Sequence, residues 1–328
     1  MFSANTLLSR EVPLNVTKNS SVQSSDTSLA KSSDQSSDQA TSQSTSQALI
    51  RSLGEMSNFD QIINMKRYPI KDLSTPAAQE LLAKCRKSIR ELGACEMPEF
   101  VIGKALELLQ AESAVLEKNA FYKPVVGNAY LTPLDDKLPK DHPRNMTDTT
   151  NVGVIAYDQF PDLSLLRRIY EWDPLMRFIG AIMDLPEIHR YGDPMGGLNL
   201  AVMRTGDYLR WHFDQTDFVT SLAVQSSTEG GEFEYAPLIR SESAENYENV
   251  KKILEGDRSL VTRITNSPGT LVLFKGRYSI HRVTRIGGNT TRWMGLFGFD
   301  SKPNVCSSPH LLDLRYGRQK AISNRPTF

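Results

Sequence analysis

Apolar residues in the first part of the chain recur at helical spacing, which predicts a set of packed helices there. The clearest one begins at Thr75, a good N-cap with Pro76 in the first turn, and it ends at Gly93, a typical C-terminal stop. Further apolar stretches of the same kind lie at residues 99–118, at residues 164–171 and after Pro174. None of these stretches carries a pattern of catalytic residues, so we expect them to serve packing.

The pattern changes at Gly197, after which short β-prone runs follow one another between turn residues. The runs are LNLAVM, YLRWHF, FVTSLAVQ, GEFEYAP, SLVTRI, GTLVLF, IHRVTRI and RWMGLFGF. Glycine-containing pairs separate them, and one predicted helix at residues 244–254 interrupts the series. About eight closely spaced strands are typical of a sandwich or barrel. The pattern therefore predicts an α+β fold with helices first and a β core second.

The start of the chain differs from the rest in composition. Residues 18–47 are dominated by Ser, Gln, Thr and Asp and contain no aromatic residue, so they cannot bury enough apolar surface to offset their ordering entropy. We therefore expect residues 1–55 to be a disordered tail and residues 56–328 to be one domain. That domain would comprise a helical part (56–190), a β core (191–303) and a C-terminal extension (304–328).

Charge and cysteine content narrow the classes of function. The chain has 38 Lys and Arg residues and 38 Asp and Glu residues, a balance that argues against a nucleic-acid or membrane-surface role. No apolar run approaches the roughly 18 residues of a membrane span, and a secretory signal is not recognisable. Three scattered cysteines predict reduced thiols rather than a disulfide framework. We expect a cytoplasmic protein whose partner is a small-molecule substrate, and its oligomeric state stays open.

Two side chains of one strand-like run combine an imidazole and a carboxylate. His212 and Asp214 are two residues apart, so both point to the same face of the strand. A hydrogen-bonded His–Asp pair would explain these two residues by themselves, but His281 follows a later apolar strand and Arg292 opens the next one. Two imidazoles and one carboxylate are the ligands of non-heme iron(II) oxygenases, and the planar fork of an arginine suits a dicarboxylate. The order predicts a metal centre formed by His212, Asp214 and His281, with Arg292 as the cofactor-binding residue.

Four segments around these residues resemble a known family. They are DPMGGLN (193–199), GDYLRWHFD (206–214), GGEFEYAP (230–237) and GRYSIHRVT (276–284). Together they are similar to the iron(II)/2-oxoglutarate oxygenases related to the free-amino-acid (lysine-type) halogenases, over residues 68–318. The resemblance implies a double-stranded β-helix, or jelly-roll, with the helices packed on one sheet. It also implies iron(II), 2-oxoglutarate and O2 as cofactors or cosubstrates, with Arg292 binding the distal carboxylate of 2-oxoglutarate.

One position distinguishes two reactions within this group. In the halogenases the metal-binding carboxylate is replaced by glycine, which leaves a site for chloride, whereas this chain has Asp214 there. The resemblance therefore implies hydroxylation, or a related oxidation, of an unactivated C–H bond rather than halogenation. It implies a small polar substrate such as a free amino acid or a derivative.

Five further residues are candidates for substrate contacts, and each has an ordinary structural alternative. Asn199 and Arg204 precede the metal-binding strand, where strand polarity would explain them equally well. Gln215 and Asp217 follow the metal-binding carboxylate, although a turn role would suit Asp217. Arg144 lies in a polar loop, where it would bind a substrate carboxylate or remain solvated.

Other functions are compatible with parts of the pattern. A non-catalytic jelly-roll that binds a ligand would have no use for all four site residues. A zinc hydrolase would use the same two histidines and carboxylate but would leave Arg292 unexplained. On the neighbouring strand, Glu232 and Glu234 alternate, and we expect both to be solvated.

Overall fold

The computed structural model describes residues 46–328, in which the predicted helices are present. The helices are α1 (46–55), α2 (Phe59–Ile62), α3 (Pro76–Leu92), α4 (Gly103–Leu116), α5 (Leu165–Glu171), α6 (Asp173–Ile182), α7 (Tyr247–Leu254) and α8 (Pro309–Tyr316). Helix α3 has the predicted ends: the side chain of Thr75 accepts a hydrogen bond from the backbone N–H of Ala78, and Gly93 adopts a φ of 67°. None of these helices is long and apolar enough to cross a membrane.

The strands are short, and most of them lie after residue 189. They are β1 (Ala94–Met97), β2 (Phe121–Tyr122), β3 (Val125–Asn128), β4 (Thr147–Thr150), β5 (Gly153–Ala156), β6 (His189–Arg190), β7 (Leu198–Met203), β8 (Leu209–His212), β9 (Val219–Gln225), β10 (Glu229–Gly230), β11 (Phe233–Tyr235), β12 (Thr262–Ile264), β13 (Leu271–Phe274), β14 (His281–Val283), β15 (Ile286–Gly287), β16 (Arg292–Phe297) and β17 (Phe299–Asp300).

Two antiparallel sheets form the β core. The larger sheet has the order β1-β13-β9-β16-β7-β5-β2, and the smaller has the order β12-β11-β14-β8. Along the chain β7, β9, β13 and β16 belong to the larger sheet, whereas β8, β11, β12 and β14 belong to the smaller one. The chain thus crosses repeatedly from one sheet to the other. This is the topology of a double-stranded β-helix, and the predicted α+β fold class is confirmed.

The early helices cover the outer face of the larger sheet. Leu82 of α3, Leu109 of α4 and Phe178 of α6 share one buried apolar cluster with Leu200 and Leu222 of the sheet. Apolar side chains that alternate along a strand point to opposite faces, so this face is separate from the interior between the two sheets. The predicted packing of the helices on one sheet is confirmed.

Helix α7 covers the outer face of the smaller sheet. Its buried residues Val250 and Ile253 pack on Trp211 and Phe213, which flank the predicted ligand His212 in sequence. The expectation that Glu234 is solvated was wrong, because this residue is only 4% exposed on that same outer face. Three arginines reach its carboxylate, as described below, and their positive charge makes burial of the carboxylate possible.

The last residues of the predicted disordered tail, 46–55, are ordered in the structure. Residues 46–55 form helix α1, in which Leu49 and Leu53 are buried in the cluster beneath the larger sheet. These two leucines supply the apolar surface that the rest of the predicted tail lacks. Residues 1–45 lie outside the described residues, and the division of residues 56–328 into three parts stays a prediction.

Strands also occur in the part of the chain that we expected to be helical. β1, β2 and β5 extend both edges of the larger sheet, and β3 pairs with β4 in a separate hairpin. Strands β3 and β4 flank the loop that contains Arg144, and β4 lies against β8. The loop is therefore held close to the metal-binding strand.

Candidate metal centre

Strand pairing in the smaller sheet places the two predicted histidine ligands opposite each other. His212 is the last residue of β8, His281 is the first residue of β14, and the two are register partners in the antiparallel pair. The centroids of the two imidazole rings are 4.1 Å apart. Residues far apart in sequence are thus brought together by one strand pair.

A bulge keeps His212 on the interior face of the sheet. His281 pairs with His212 and Val283 pairs with Leu209, so β8 contributes one extra residue between these two pairs. Leu209 packs with Val283 in the interior, whereas Trp211 packs outside beneath α7. Simple alternation would place Trp211 on the same face as Leu209. The extra residue corrects the phase, and His212 and Asp214 both return to the interior.

The Asp214 carboxylate completes the group of three ligands. Its Oδ1 lies 3.6 Å from Nε2 of His212 and 3.6 Å from Nε2 of His281, and the three ligand atoms all lie within 4.8 Å of one another. Metal–ligand bonds of about 2.1 Å place neighbouring ligand atoms roughly 3.0–3.4 Å apart. The two distances from Asp214 are a few tenths of an ångström wider, so a small metal ion fits between the carboxylate and either imidazole with little movement.

Hydrogen bonds to the backbone fix the tautomer of both imidazoles. Nδ1 of His212 donates to the carbonyl oxygen of Arg210 at 2.9 Å, and Nδ1 of His281 donates to the carbonyl oxygen of Ser279 at 3.0 Å. A carbonyl oxygen only accepts, so Nδ1 carries the proton in each ring and the lone pair of Nε2 points to the site. Imidazoles that bind metals usually have such a partner behind them.

Burial keeps both imidazoles in the neutral state that a metal requires. Desolvation, followed by the charge of His281, lowers the pKa of His212 to about 3, and desolvation lowers the pKa of His281 to about 4. The rings of Phe233 and Phe274 contact His281 and supply part of this apolar surrounding. At neutral pH protons therefore do not compete with a metal for either Nε2 atom.

Asp214 is partly buried, with 19% of its side chain exposed, and it has no cationic hydrogen-bond partner among the described residues. Burial raises the pKa of its carboxyl group, and this exceeds the opposing electrostatic contributions of His212 and Arg315. Its backbone N–H donates to the carbonyl oxygen of Gly276 at 3.1 Å, which fixes the chain at this point. A buried carboxylate is costly unless a positive charge is close to it. The space between the Asp214 carboxylate and the two imidazole Nε2 atoms is where such a positive charge would fit.

Arg292 is buried on the interior face of the larger sheet. It is 4% exposed, it pairs in register with Met203, and its Nη1 lies 3.8 Å from the Met203 sulfur. Within residues 46–328 no carboxylate oxygen lies within 4 Å of its guanidinium, and desolvation lowers its pKa to about 10. A buried guanidinium without a counterion is an anion-binding group that the protein itself leaves unfilled.

Comparison with known proteins identifies the family. The family model for Halogenase D matches residues 77–310, which is more than two thirds of the chain. The chain belongs to the Halogenase D family. The predicted resemblance to iron(II)/2-oxoglutarate oxygenases of the halogenase group is confirmed by this match, and with it the expected class of enzyme. A search of curated proteins gave no match.

Solved structures with a similar fold share little sequence with this Halogenase D family member. A 2OG-Fe(II) oxygenase family oxidoreductase from Burkholderia pseudomallei is 16% identical, with 68% of this chain and 92% of that chain covered and a TM-score of 0.44. A prolyl-4-hydroxylase from Pseudomonas putida is 13% identical, with 66% and 98% covered and a TM-score of 0.40. AviO1 from Streptomyces viridochromogenes is 14% identical, with 69% and 97% covered and a TM-score of 0.47.

In this member of the Halogenase D family, the two candidates that precede β8 are engaged elsewhere. Asn199 is buried and accepts a hydrogen bond from the hydroxyl of Tyr316 at 3.0 Å, while its amide nitrogen donates to the carbonyl oxygen of Met195. Arg204 is exposed, and its guanidinium lies 5.1 Å from the ring centroid of Tyr122. The structure therefore does not place Arg204 beside the three ligands.

Of the other three candidates, Gln215 and Asp217 closely follow Asp214 in sequence, and Arg144 lies in the loop between β3 and β4. Gln215 is exposed, and its carbonyl oxygen accepts a hydrogen bond from Arg277. Asp217 is also exposed, and its Oδ1 lies 2.6 Å from Nε of Arg277. The side chain of Arg144 is partly buried and forms no ion pair or hydrogen bond with another residue of the described range. Its guanidinium remains available to a ligand.

Arg315, a cation in the C-terminal helix α8 that acts on the site, was not among the predicted site residues. Burial raises the pKa of Asp214 and that of Tyr191, and the positive charge of Arg315 opposes both shifts. Tyr316, the next residue, hydrogen-bonds Asn199 and thereby ties α8 to β7. No motif could have revealed Arg315, because only the folded chain brings this helix to the end of the β core.

Proposed function

We propose that the protein is an iron(II)- and 2-oxoglutarate-dependent hydroxylase that acts on a small polar molecule, a free amino acid or a derivative. The observation that carries the proposal is the position of Asp214, whose carboxylate stands 3.6 Å from Nε2 of both His212 and His281. Two neutral imidazoles and one carboxylate form the facial set of ligands that iron(II) takes in oxygenases.

These residues fit the metal that the family implies. His212 and His281 would hold iron through Nε2, and Asp214 would hold it through its carboxylate, which would gain the positive charge that the protein does not provide. Iron with 2-oxoglutarate supplies, when bound, the oxidising chemistry that cleaves an unactivated C–H bond with dioxygen. The protein contributes the ligand geometry and excludes water through the rings of Phe233 and Phe274.

Arg292 supports 2-oxoglutarate as the cosubstrate. Its guanidinium is buried, it faces the same interior as the three ligands, and no carboxylate of a described residue neutralises it. The planar fork of an arginine binds a carboxylate through two parallel hydrogen bonds. We assign the distal carboxylate of 2-oxoglutarate to this position, because a dicarboxylic acid is long enough to be bound at both ends.

Asp214 also supports hydroxylation over halogenation, despite the family to which the chain belongs. In the halogenases that this sequence resembles, glycine at this position leaves room for chloride. Here the carboxylate occupies that room and lies between the two imidazoles. A halide therefore has no free place among the protein ligands, and the oxidised carbon would receive oxygen.

Two positive charges support a small polar substrate. Arg144, in the loop beside β8, has no side-chain partner within residues 46–328, and Arg315 contributes a second positive charge near Asp214. Two cations suit a substrate that carries a carboxylate. Gln215 and Asp217 remain candidates for contacts with the rest of the substrate, whereas Asn199 and Arg204 are engaged within the protein.

The experiment is a screen of free amino acids in the presence of iron(II), 2-oxoglutarate, O2 and chloride. We expect one class of amino acid to stimulate succinate formation, with a product heavier by one oxygen atom. A product that carries chlorine would contradict the assignment of Asp214. Iron-dependent succinate formation that no small polar molecule stimulates would contradict the substrate class while leaving the reaction class intact.

A further inference from the structure

Gly276 lies directly against the carboxylate of Asp214. It belongs to the turn between β13 and β14, and its carbonyl oxygen accepts the backbone N–H of Asp214 at 3.1 Å. A Cβ atom added to Gly276 would lie 2.5 Å from Cγ and 2.9 Å from Cβ of Asp214, and closer still to Oδ2. Real Cβ atoms do not approach other atoms so closely, so one of the two residues would have to move.

The backbone conformation does not explain a glycine at this position. Gly269, at the other end of β13, has a φ of 85°, a left-handed conformation that favours glycine. Gly276 does not belong to the glycines with positive φ. Its φ therefore lies outside the left-handed region that favours glycine, and what the position needs is the empty volume beside the carboxylate.

The backbone around Asp214 is fixed, so a clash would displace the side chain. The N–H of Asp214 is bound to Gly276, and the N–H of Phe213 donates to the carbonyl oxygen of Ala129 at 2.8 Å. The aspartate side chain has only two rotatable bonds. Rotation about either of them moves Oδ1 away from the position that is equidistant from the two imidazole Nε2 atoms.

We propose that Gly276 is a positioning residue for the metal centre: by lacking a side chain, it keeps the volume in which the Asp214 carboxylate faces the metal. Positions 214 and 276 are therefore coupled. A side chain at position 276 is compatible with the site only when the carboxylate at position 214 is absent. This inference rests on the proposed function, because it takes Asp214 to be a metal ligand.

The test is a double-mutant cycle of Gly276→Ala and Asp214→Gly, with cobalt(II) alone as the metal probe under anaerobic conditions. We expect Gly276→Ala to weaken cobalt binding by about 10- to 100-fold, the range typical of residues that orient a ligand. Its cobalt absorption spectrum should resemble that of Asp214→Gly, because both proteins lack the carboxylate ligand. In the Asp214→Gly background the alanine should change the affinity less than about twofold.

Folding is followed separately through the unfolding temperature of the metal-free proteins. Gly54→Ala is the matched control, since no atom lies within 4 Å of a Cβ added to that glycine, and it should leave cobalt binding unchanged. Equal losses of affinity or of unfolding temperature from Gly276→Ala in both backgrounds would show a general structural role and overturn the inference.

Failure of this inference can be told apart from failure of the proposed function. If Asp214→Gly weakens cobalt binding while Gly276→Ala binds like the wild type, only the positioning role is overturned. If Asp214→Gly itself binds cobalt as tightly as the wild type, Asp214 is not a ligand, and both proposals fall.

Discussion

Two carboxylates at the smaller sheet, Glu234 within β11 and Asp214 just after β8, have opposite surroundings. On the outer face, Glu234 receives hydrogen bonds from Arg263 at 3.0 Å and from Arg282 at 2.8 Å, with Arg258 at 3.8 Å. On the inner face, the ion-pair distances of Asp214 within residues 46–328 are to two neutral imidazoles, and the charge of Arg315 acts on it without a hydrogen bond. The protein neutralises the first carboxylate by itself, whereas under the proposed function a bound metal ion would neutralise the second.

Two arginines, one partly buried and one fully buried, show the same contrast. Arg282 on the outer face is paired with Glu234, whereas Arg292 on the inner face has no carboxylate partner within the described range. The outer charges are part of the folded structure, and the inner charges, one of each sign, are incomplete without ligands. Unpaired buried groups cost stability, so we infer that the inner pair is retained for binding.

The largest expected effect is that of Asp214→Ala. Loss of a ligand should weaken iron(II) binding and lower substrate-dependent succinate formation by more than about 100-fold, beyond what residues behind the ligands typically cause. The metal-free protein should unfold at the same or a higher temperature, because a desolvated carboxylate is removed. Asp60→Ala, which removes a surface carboxylate paired with Lys71, is the matched control. Retention of full coupled turnover in Asp214→Ala would exclude it as a ligand.

The next effect is expected for Arg292→Gln. Removing one partner of a buried charge pair costs about 3 kcal/mol, so the KM for 2-oxoglutarate should rise roughly 100-fold. Iron(II) affinity measured without 2-oxoglutarate should not change. Arg292→Lys should recover part of the loss, since it keeps the charge but not the planar fork. An unchanged KM in Arg292→Gln would move the binding of the distal carboxylate to another residue.

Glu234→Gln should have the opposite effect: it should lower stability and leave ligand binding unchanged. It breaks charge-assisted hydrogen bonds on the outer face, so we expect the free energy of unfolding to fall by about 2 kcal/mol. Metal affinity and the KM for 2-oxoglutarate should stay at their wild-type values. Chemical denaturation together with steady-state kinetics provides the measurement. The contrast requires the two faces of the sheet to be independent. A loss of metal affinity in this variant would show that they are not.

The smallest expected effect is that of Arg144→Ala. If Arg144 binds the substrate carboxylate, loss of this partly exposed cation should raise the KM for an anionic amino-acid substrate by about 10-fold, which corresponds to roughly 1.4 kcal/mol. Metal binding and the KM for 2-oxoglutarate should not change. Arg67→Ala, which removes a surface arginine paired with Glu99, is the control for a general loss of charge. Identical substrate KM values in both variants would remove Arg144 from the substrate site.

The parts of the site that are local in sequence could be predicted, and the parts that depend on packing could not. The two-residue spacing of His212 and Asp214 predicts that both point to one face of the strand. The ordered series of strands predicts that a later strand places His281 beside them. The bulge in β8 is not visible in the sequence. It lies before His212, so it does not change the relation between His212 and Asp214, and both still point to one face. The role of Arg292 stays a prediction, and the structure adds that its guanidinium is buried without a carboxylate partner among the described residues.

The surroundings of charged residues whose partners come from distant segments could not be predicted from the sequence. Glu234 was expected to be solvated, because an alternating glutamate on a strand gives no sign of the arginines that cover it. Arg315 gave no signal, since α8 reaches the site only through tertiary packing. Leu49 and Leu53 were too few to predict α1, which is helical because the core beneath the larger sheet accepts both side chains.

The most direct test of the account is a crystal structure of the protein prepared anaerobically with iron(II) and 2-oxoglutarate. We predict one metal ion bound by Nε2 of His212, Nε2 of His281 and the carboxylate of Asp214, with the distal carboxylate of 2-oxoglutarate on the guanidinium of Arg292. A metal bound elsewhere, or 2-oxoglutarate bound with Arg292 still unpaired, would contradict the claim that the inner charges are completed by these two ligands.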